Sequence, residues 1–336
     1  MRFIPATVIA VALSACTVDW TGDGDMCEAV FSVHSPTKAS VAELAVNHWA
    51  VMLFDVANPA AVYRAESSSS NDITCVARKG RSYRAYAIVN YPTEGLGEFN
   101  PASIGNEGEL LGYASYLSGN SPSGLVMFGY ANLQNLPVSG TTHISISRLC
   151  SKVSILKITV NMEDAKYEAM TFTLDALYLT NVFTKSTFGD DEIPSADSPY
   201  WYNAMGWHGS GSVSSLDLLL GERGINTVID NGASYTTPYC FYTYPNTVSQ
   251  YDDHNDAEWS ARCTRLVIES TLGGKKYYYP VTLPDMKRNH NYIIEEAIIR
   301  RPGSLDPEGE IPGALDINLS INEGTWDTEY NIYEET

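Results

Sequence analysis

Late in the chain, Leu315, Ile317, Leu319 and Ile321 alternate with Asp316, Asn318 and Ser320. A period of two puts the four apolar side chains on one face of an extended strand and the polar ones on the other. Residues 142–147 repeat the pattern, with Ile144 and Ile146 opposed to Ser145 and Ser147. Apolar or alternating runs at 29–33, 48–56, 82–89, 153–160, 172–179, 239–244, 265–269, 276–281 and 292–299 also read as strands. Turn signals lie between them: Asn58-Pro59, a serine run at 67–70, Asn90-Tyr91-Pro92, and Gly273-Gly274, which predicts a hairpin. Helical periodicity is confined to two short stretches, 107–116 and 214–220. Many short strands separated by turns predict an all-β chain built from sandwiches. No solenoid-type repeat is visible.

Composition agrees with this. The chain has 22 tyrosines and only 18% charged residues. Aromatic and β-branched residues favour the pleated, half-buried surface of a sheet. The 336 residues suffice for two domains with separate cores. Asp and Glu outnumber Lys and Arg by 40 to 21, for a formal charge of −19. The charge is spread along the chain as a solvated acidic surface. It argues against nucleic-acid partners, which require clustered cations to meet the phosphates.

The first residues, MRFIPATVIAVALSAC, carry a basic start at Arg2, an apolar run over 3–13, and small residues before Cys16. This is a secretory leader, too short to span a bilayer permanently. Leu13-Ser14-Ala15-Cys16 matches the bacterial lipobox, in which the cysteine thiol is lipidated and becomes the new N-terminus. Acyl chains would then hold the protein on a membrane. The expected organisation is a signal peptide at 1–15, an acidic tether at 16–26, an N-terminal sandwich at 27–150 and a C-terminal sandwich at 151–336. The boundary is placed at the segment Arg148-Leu149-Cys150-Ser151-Lys152-Val153, which joins two strands without a flexible linker.

Six cysteines are present, at 16, 27, 75, 150, 240 and 263, and none has C-x-x-C spacing. Export permits disulfides. With Cys16 lipidated, an odd number remains. Cys240 and Cys263 lie on strand-like runs flanking the acidic stretch 252–256, so they form a candidate disulfide across a hairpin.

No catalytic signature is found: no G-x-S-x-G, H-E-x-x-H, Walker loop or G-x-G-x-x-G after a strand. The six histidines stand nowhere at metal-ligand spacing. The chain is therefore read as a non-enzyme without cofactor or metal. Asp252-Asp253-His254-Asn255-Asp256 offers oxygens but lacks the glycine and distal glutamate of a calcium loop, so it reads as a solvated tip. Tyr200, Trp201, Tyr202 and Trp207, with His208, form an aromatic cluster. Exposed, it is a candidate ligand-binding loop for a glycan or a partner protein; folded back, it caps a sandwich end.

Taken in order along the chain, several stretches resemble the fimbrillins, subunits of type V pili of Gram-negative bacteria. They are the lipobox, Val51-Met52-Leu53-Phe54-Asp55, the run Tyr83-Arg84-Ala85-Tyr86-Ala87-Ile88-Val89-Asn90, and the crossing Arg148 to Val153. Phe241-Tyr242-Thr243-Tyr244-Pro245-Asn246, then Thr264-Arg265-Leu266-Val267-Ile268, Asn291-Tyr292, Asp306-Pro307 and Trp326 follow. The resemblance implies two transthyretin-like β-sandwich domains in tandem, no enzymatic activity, and a place in the fimbrium at the cell outer membrane. Partners implied are other pilus subunits and the outer membrane, reached through lipid. It also implies that a protease removes the lipidated segment and first strand, usually after an arginine, and that a strand of the next subunit fills the vacated groove. Here the expected loop, 34–40, contains no arginine, so Lys38-Ala39 is the candidate maturation bond. An uncleaved chain would instead suit a lipid-retaining anchor. The same features would also suit a tip adhesin or a surface glycan-binding lipoprotein.

Overall fold

The structure, a computed structural model, describes residues 25–34, 42–67, 72–138, 140–189, 200–203, 221–248 and 262–323. The chain is all-β. Its first half supplies β1 (Met26–His34), β2 (Trp49–Asp55), β3 (Asn58–Ser67), β4 (Asp72–Arg78), β5 (Tyr83–Val89), β6 (Ala114–Tyr116), β7 (Met127–Leu133) and β8 (Thr141–Arg148). Seven of these form one sheet in the order β3-β2-β5-β7-β8-β1-β4.

That sheet turns a corner where β7 meets β8. The two strands pair only over Met127–Gly129 and Ile146–Arg148. A Cβ on Gly129 would stand 2.0 Å from the Ser145 carbonyl oxygen, so glycine is required for the backbones to approach this closely. Past the corner β8 pairs with β1 instead, and the two wings enclose one core. Its members alternate along each strand: Ala29 and Phe31, Trp49, Val51 and Leu53, Ile73, Cys75 and Ala77, Ala85 and Ala87, Ile144 and Ile146.

The second half supplies β9 (Ser151–Ile155), β10 (Ile158–Val160), β11 (Phe172–Thr180), β12 (Val182–Phe183), β13 (Lys185–Thr187), β14 (Trp201–Tyr202) and β15 (Gly221–Ile229). These are followed by β16 (Ser234–Tyr235), β17 (Tyr239–Thr243), β18 (Arg265–Leu272), β19 (Lys275–Thr282), β20 (His290–Ile299) and β21 (Leu315–Glu323). One sheet runs β16-β10-β20-β9-β17, with β21 also pairing to β20; a second runs β15-β11-β18-β19. The predicted hairpin joins β18 to β19: Gly273 (φ 56°) and Gly274 (φ 82°) both take the left-handed backbone that such a turn demands. The expected strand over 153–160 is divided into β9 and β10. Of the stretch 107–116, only Glu107–Leu111 is helical, and 114–116 forms β6. The other stretch, 214–220, lies outside the described residues.

The two halves share a second, larger core. Strand β2 is buried along its whole length because its two faces serve different partners. Trp49, Val51 and Leu53 point into the first-half core, while Ala50, Met52 and Phe54 join Leu149, Val153, Leu179 and Tyr292. Burial on both faces explains why this strand reads as an uninterrupted apolar run. Across the same seam β6 pairs with β13. The buried Tyr244 hydroxyl shares a 2.6 Å hydrogen bond with Ser115 and accepts another from Asn120 at 2.9 Å.

Candidate functional site

Strand β1 is an interior strand of the first sheet, although it comes first in the described chain. It pairs antiparallel with β4, Met26 to Ser32 facing Arg78 to Asp72. Its other edge pairs parallel with β8, Val30 to His34 facing Thr141 to Ser145. Ala29 and Phe31 are buried against Ile73, Cys75, Ala77, Ile144 and Ile146. Strand β4 alternates strictly between exposed and buried, so it offers a floor of small and branched side chains to whatever strand lies beside it. Without β1, β4 and β8 would each present an unpaired row of N–H and C=O groups flanking an apolar cleft. Such a slot binds an extended segment through main-chain hydrogen bonds and alternate side-chain pockets.

Just after residues 35–41, a 3-10 turn at Ala42–Leu44 carries the buried Glu43. Its Oε1 accepts from Lys152 Nζ at 2.7 Å and from the Tyr242 hydroxyl at 2.7 Å. Its backbone carbonyl accepts from Arg148 Nε and Nη2, each at 3.3 Å. Arg148 Nη1 donates to Asn289 Oδ1 at 3.2 Å. Arg148 is fully buried, and burial lowers its pKa from the ordinary guanidinium value while the nearby Cys150, Glu43 and Tyr242 oppose that shift. Burial, reinforced by Glu43, pushes the Tyr242 hydroxyl well above the usual tyrosine range and so keeps it a donor. The Cys150 thiol is raised to about 12 by burial, which leaves it an inert core side chain. Sequence reading singles out the Arg148–Lys152 segment but not Glu43, which sits in an undistinguished run, Val41-Ala42-Glu43-Leu44-Ala45.

The other predicted site residues fare unevenly. Cys16, Lys38, Ala39 and Trp207 lie outside the described residues, as does 252–256. The Cys240–Cys263 disulfide is not formed. Cys240 is on β17, which pairs with β9, whereas Cys263 precedes β18, which pairs with β11 and β19 in the other sheet. The two runs are therefore not a hairpin. Cys263 donates to the Val248 carbonyl at 3.2 Å, and Cys240 lies 3.6 Å from the Ser154 hydroxyl. Trp201 is corrected as a ligand platform: it is fully buried, with its ring edge-on to Phe183 at 5.5 Å. Tyr202 faces Val182 across the β12–β14 pair, and Tyr200 packs beside Tyr116 under the Lys185 ammonium. Phe183 and Trp201 form a small buried cluster against which Tyr200 and Val248 pack. Among the described residues, no three His, Cys, Asp or Glu side chains converge as a metal site, and no helix is long and apolar enough to cross a membrane.

No protein-family model matches the chain, and no curated protein matches it by sequence. Solved structures do match. A protein described as a cell adhesion protein from Bacteroides eggerthii superposes with a TM-score of 0.67 at 18% identity, covering 89% of this chain and 96% of that one. A fimbrilin from Porphyromonas gingivalis gives 0.59 at 13% identity, covering 88% and 96%. The tip fimbrial protein Mfa3 from the same organism, with a C-terminal truncation, gives 0.52 at 12% identity over 89% and 99%. The chain therefore shares the overall fold of these cell adhesion and fimbrial proteins.

Proposed function

We propose that the chain is a structural fimbrial subunit, exported as a lipoprotein through Cys16 and assembled into a pilus by strand exchange, in support of adhesion at the cell surface. The observation that carries this reading is the position of β1. It fills a slot between β4 and β8, contacts the sheet of its own half, and precedes residues 35–41, which include Lys38. Cutting Lys38-Ala39 would detach the lipidated segment together with β1 and open the slot to a strand from a neighbouring subunit. The partners are then other pilus subunits, with the outer membrane as a transient or permanent anchor point. The fimbrial and adhesion descriptions of the structural neighbours support a surface location and a non-enzymatic role.

The N-terminal residue of the protein purified from the cell surface tests the reading. A start at Ala39, with laddering in mild denaturant, fits a stalk subunit. A lipidated start at Cys16 moves the chain to the anchor role and rejects maturation at Lys38. A surface protein that carries β1 and no lipid rejects the reading as a whole. A glycan-binding role loses ground because Trp201 offers no exposed ring face.

A further inference from the structure

On either side of residues 35–41 lie two segments that are held in different ways. Upstream, β1 is held by ladder hydrogen bonds and apolar burial within the first half. Downstream, residues 42–48 are held by polar side chains from both halves. Glu43 receives Lys152 of β9 and Tyr242 of β17 through its carboxylate, and Arg148 of β8 through its carbonyl. Asn90 donates to the Ala45 carbonyl at 2.7 Å and accepts from the Asn47 amide at 2.8 Å. The Asn90 amide donates to the His48 carbonyl at 3.0 Å. Arg148 carries the chain of contacts on to Asn289, whose amide donates to the Cys150 carbonyl at 2.9 Å. Lys152 also faces Tyr242 and Asn291 directly in the β17-β9-β20 ladder, so the Glu43 carboxylate is seated on the second-half sheet.

We propose that Glu43 is an interdomain latch: its buried carboxylate ties the 42–44 turn to Lys152 and Tyr242 of the second half and, beside the Arg148 and Asn90 contacts, steadies residues 42–48 and the junction of the two halves while β1 is removed. None of these contacts involves β1. A cut within 35–41 therefore leaves every one of them in place, and the newly formed N-terminal segment is already docked on the second half. The slot can then empty and refill without the halves changing their relation, which a polymer under tension needs. This inference rests on the strand-exchange reading for its purpose but not for its geometry.

The test uses the full chain with a site-specific protease sequence substituted at 36–41, followed by hydrogen exchange before and after cutting and after removal of β1 in mild denaturant. In the parent, amides of β4 are expected to exchange at least about tenfold faster once β1 is gone. Those of Asn47, Asn90 and Asn289 should stay within about threefold of their starting rates. In Glu43→Ala those three should speed up at least about tenfold, even before cutting, while Leu53 and Ala85 in the first-half core hold theirs. Glu43→Gln keeps an acceptor for Tyr242 but leaves the Lys152 charge unmatched; it serves where the alanine variant does not fold and should give the same pattern at smaller amplitude. The latch is overturned if both variants keep parental rates at the three amides. It is equally overturned if the cut parent loses protection over 42–48 together with β1. Failure of the polymer reading would show separately, as a cut chain that keeps this exchange pattern and never forms ladders.

Discussion

Strands β1 and β21 are each nine residues long; β21 carries its apolar side chains at every second position, and β1 buries Ala29 and Phe31 on one face. Their places in the sheets are opposite. β1 has a partner on both edges, whereas β20 is the sole strand partner of β21 among the described residues. Phe31 on β1 is completely buried; Ile321 on β21 is 47% exposed, and Leu315, Ile317 and Leu319 are half-buried. Alternation thus specifies which face of a strand is apolar, and the neighbours decide how much that face contributes. An interior strand that comes first among the described strands is also unusual in its consequence. Losing it opens two ladder edges and a core, whereas losing an edge strand opens one ladder and a half-exposed surface.

Phe31→Ala is the largest expected perturbation of this contrast. Truncating a fully buried phenylalanine costs roughly 3–5 kcal/mol. Urea unfolding should show stability falling by that amount, and β1 should leave its slot more readily after the chain is cut within 35–41. A loss below about 1 kcal/mol would mean that the slot collapses around the gap and that β1 is not the interior strand described.

Cys75 gives a kinetic version of the same test. It lies opposite Ala29 in the β1–β4 ladder, fully buried, and burial pushes its thiol pKa far above the usual range. Peptide-resolved alkylation of the intact chain should leave Cys75 unlabelled while the half-exposed Cys240 reacts. Removing β1 should raise the Cys75 rate by about a hundredfold or more, and filling the slot with a neighbour's strand should lower it again. Equal labelling with and without β1 would show that β1 does not cover the slot.

These contrasts also mark what a sequence can and cannot disclose. The apolar runs of β2, β5, β11 and β20 and the alternation of β8 and β21 are written in the chain because burial selects them residue by residue. The paired glycines of the β18–β19 hairpin are equally visible. Other strands escape for physical reasons. Asn58-Pro59 reads as a stop, yet it begins β3, which tolerates proline because it is the sheet's edge. β4 alternates, but its buried residues include the small Cys75 and Ala77, which give little hydrophobic signal. β7 carries Gly129 for a backbone contact, so it reads weakly. Pairing across distance is not written locally at all. The β1–β8 ladder joins residues far apart in the chain, Val30 with Thr141, and the supposed Cys240–Cys263 hairpin divides between two sheets. The same holds for the site. The Arg148–Lys152 crossing is noticeable as a motif, but its acidic partner Glu43 is identified only by the fold.

On the β21 side the effects should be smaller. Leu319→Ala removes a half-buried side chain and is expected to cost about 1 kcal/mol, and Ile321→Ala about 0.5 kcal/mol. Equilibrium unfolding of both beside Phe31→Ala would sharpen the comparison. A cost for Ile321→Ala near that of Phe31→Ala would show that the free edge of β21 is covered in solution and would remove the asymmetry between the two strands.

Glu296 tests β20 where it meets β10, a seam stitched by polar contacts. Its Oε1 accepts from the Thr159 hydroxyl at 2.6 Å and lies 2.9 Å from Lys157 Nζ. The Thr159 hydrogen bond first, then Lys157, hold the carboxyl below its ordinary value. A carboxylate depressed in the folded state stabilises the fold above its unfolded pKa, and that contribution fades as pH falls through its lowered folded value. The side chain is 30% exposed, so solvent screens the pair, and Glu296→Gln should cost only roughly 0.2–0.5 kcal/mol at pH 7. The gap between variant and parent should close on acidification, when the parent carboxyl is protonated and resembles the amide. A gap that stays constant with pH would assign the loss to the altered hydrogen bond with Thr159 instead of to charge. In either case β21 should keep its place on β20, because the ladder between them is made by main-chain groups that the substitution leaves untouched.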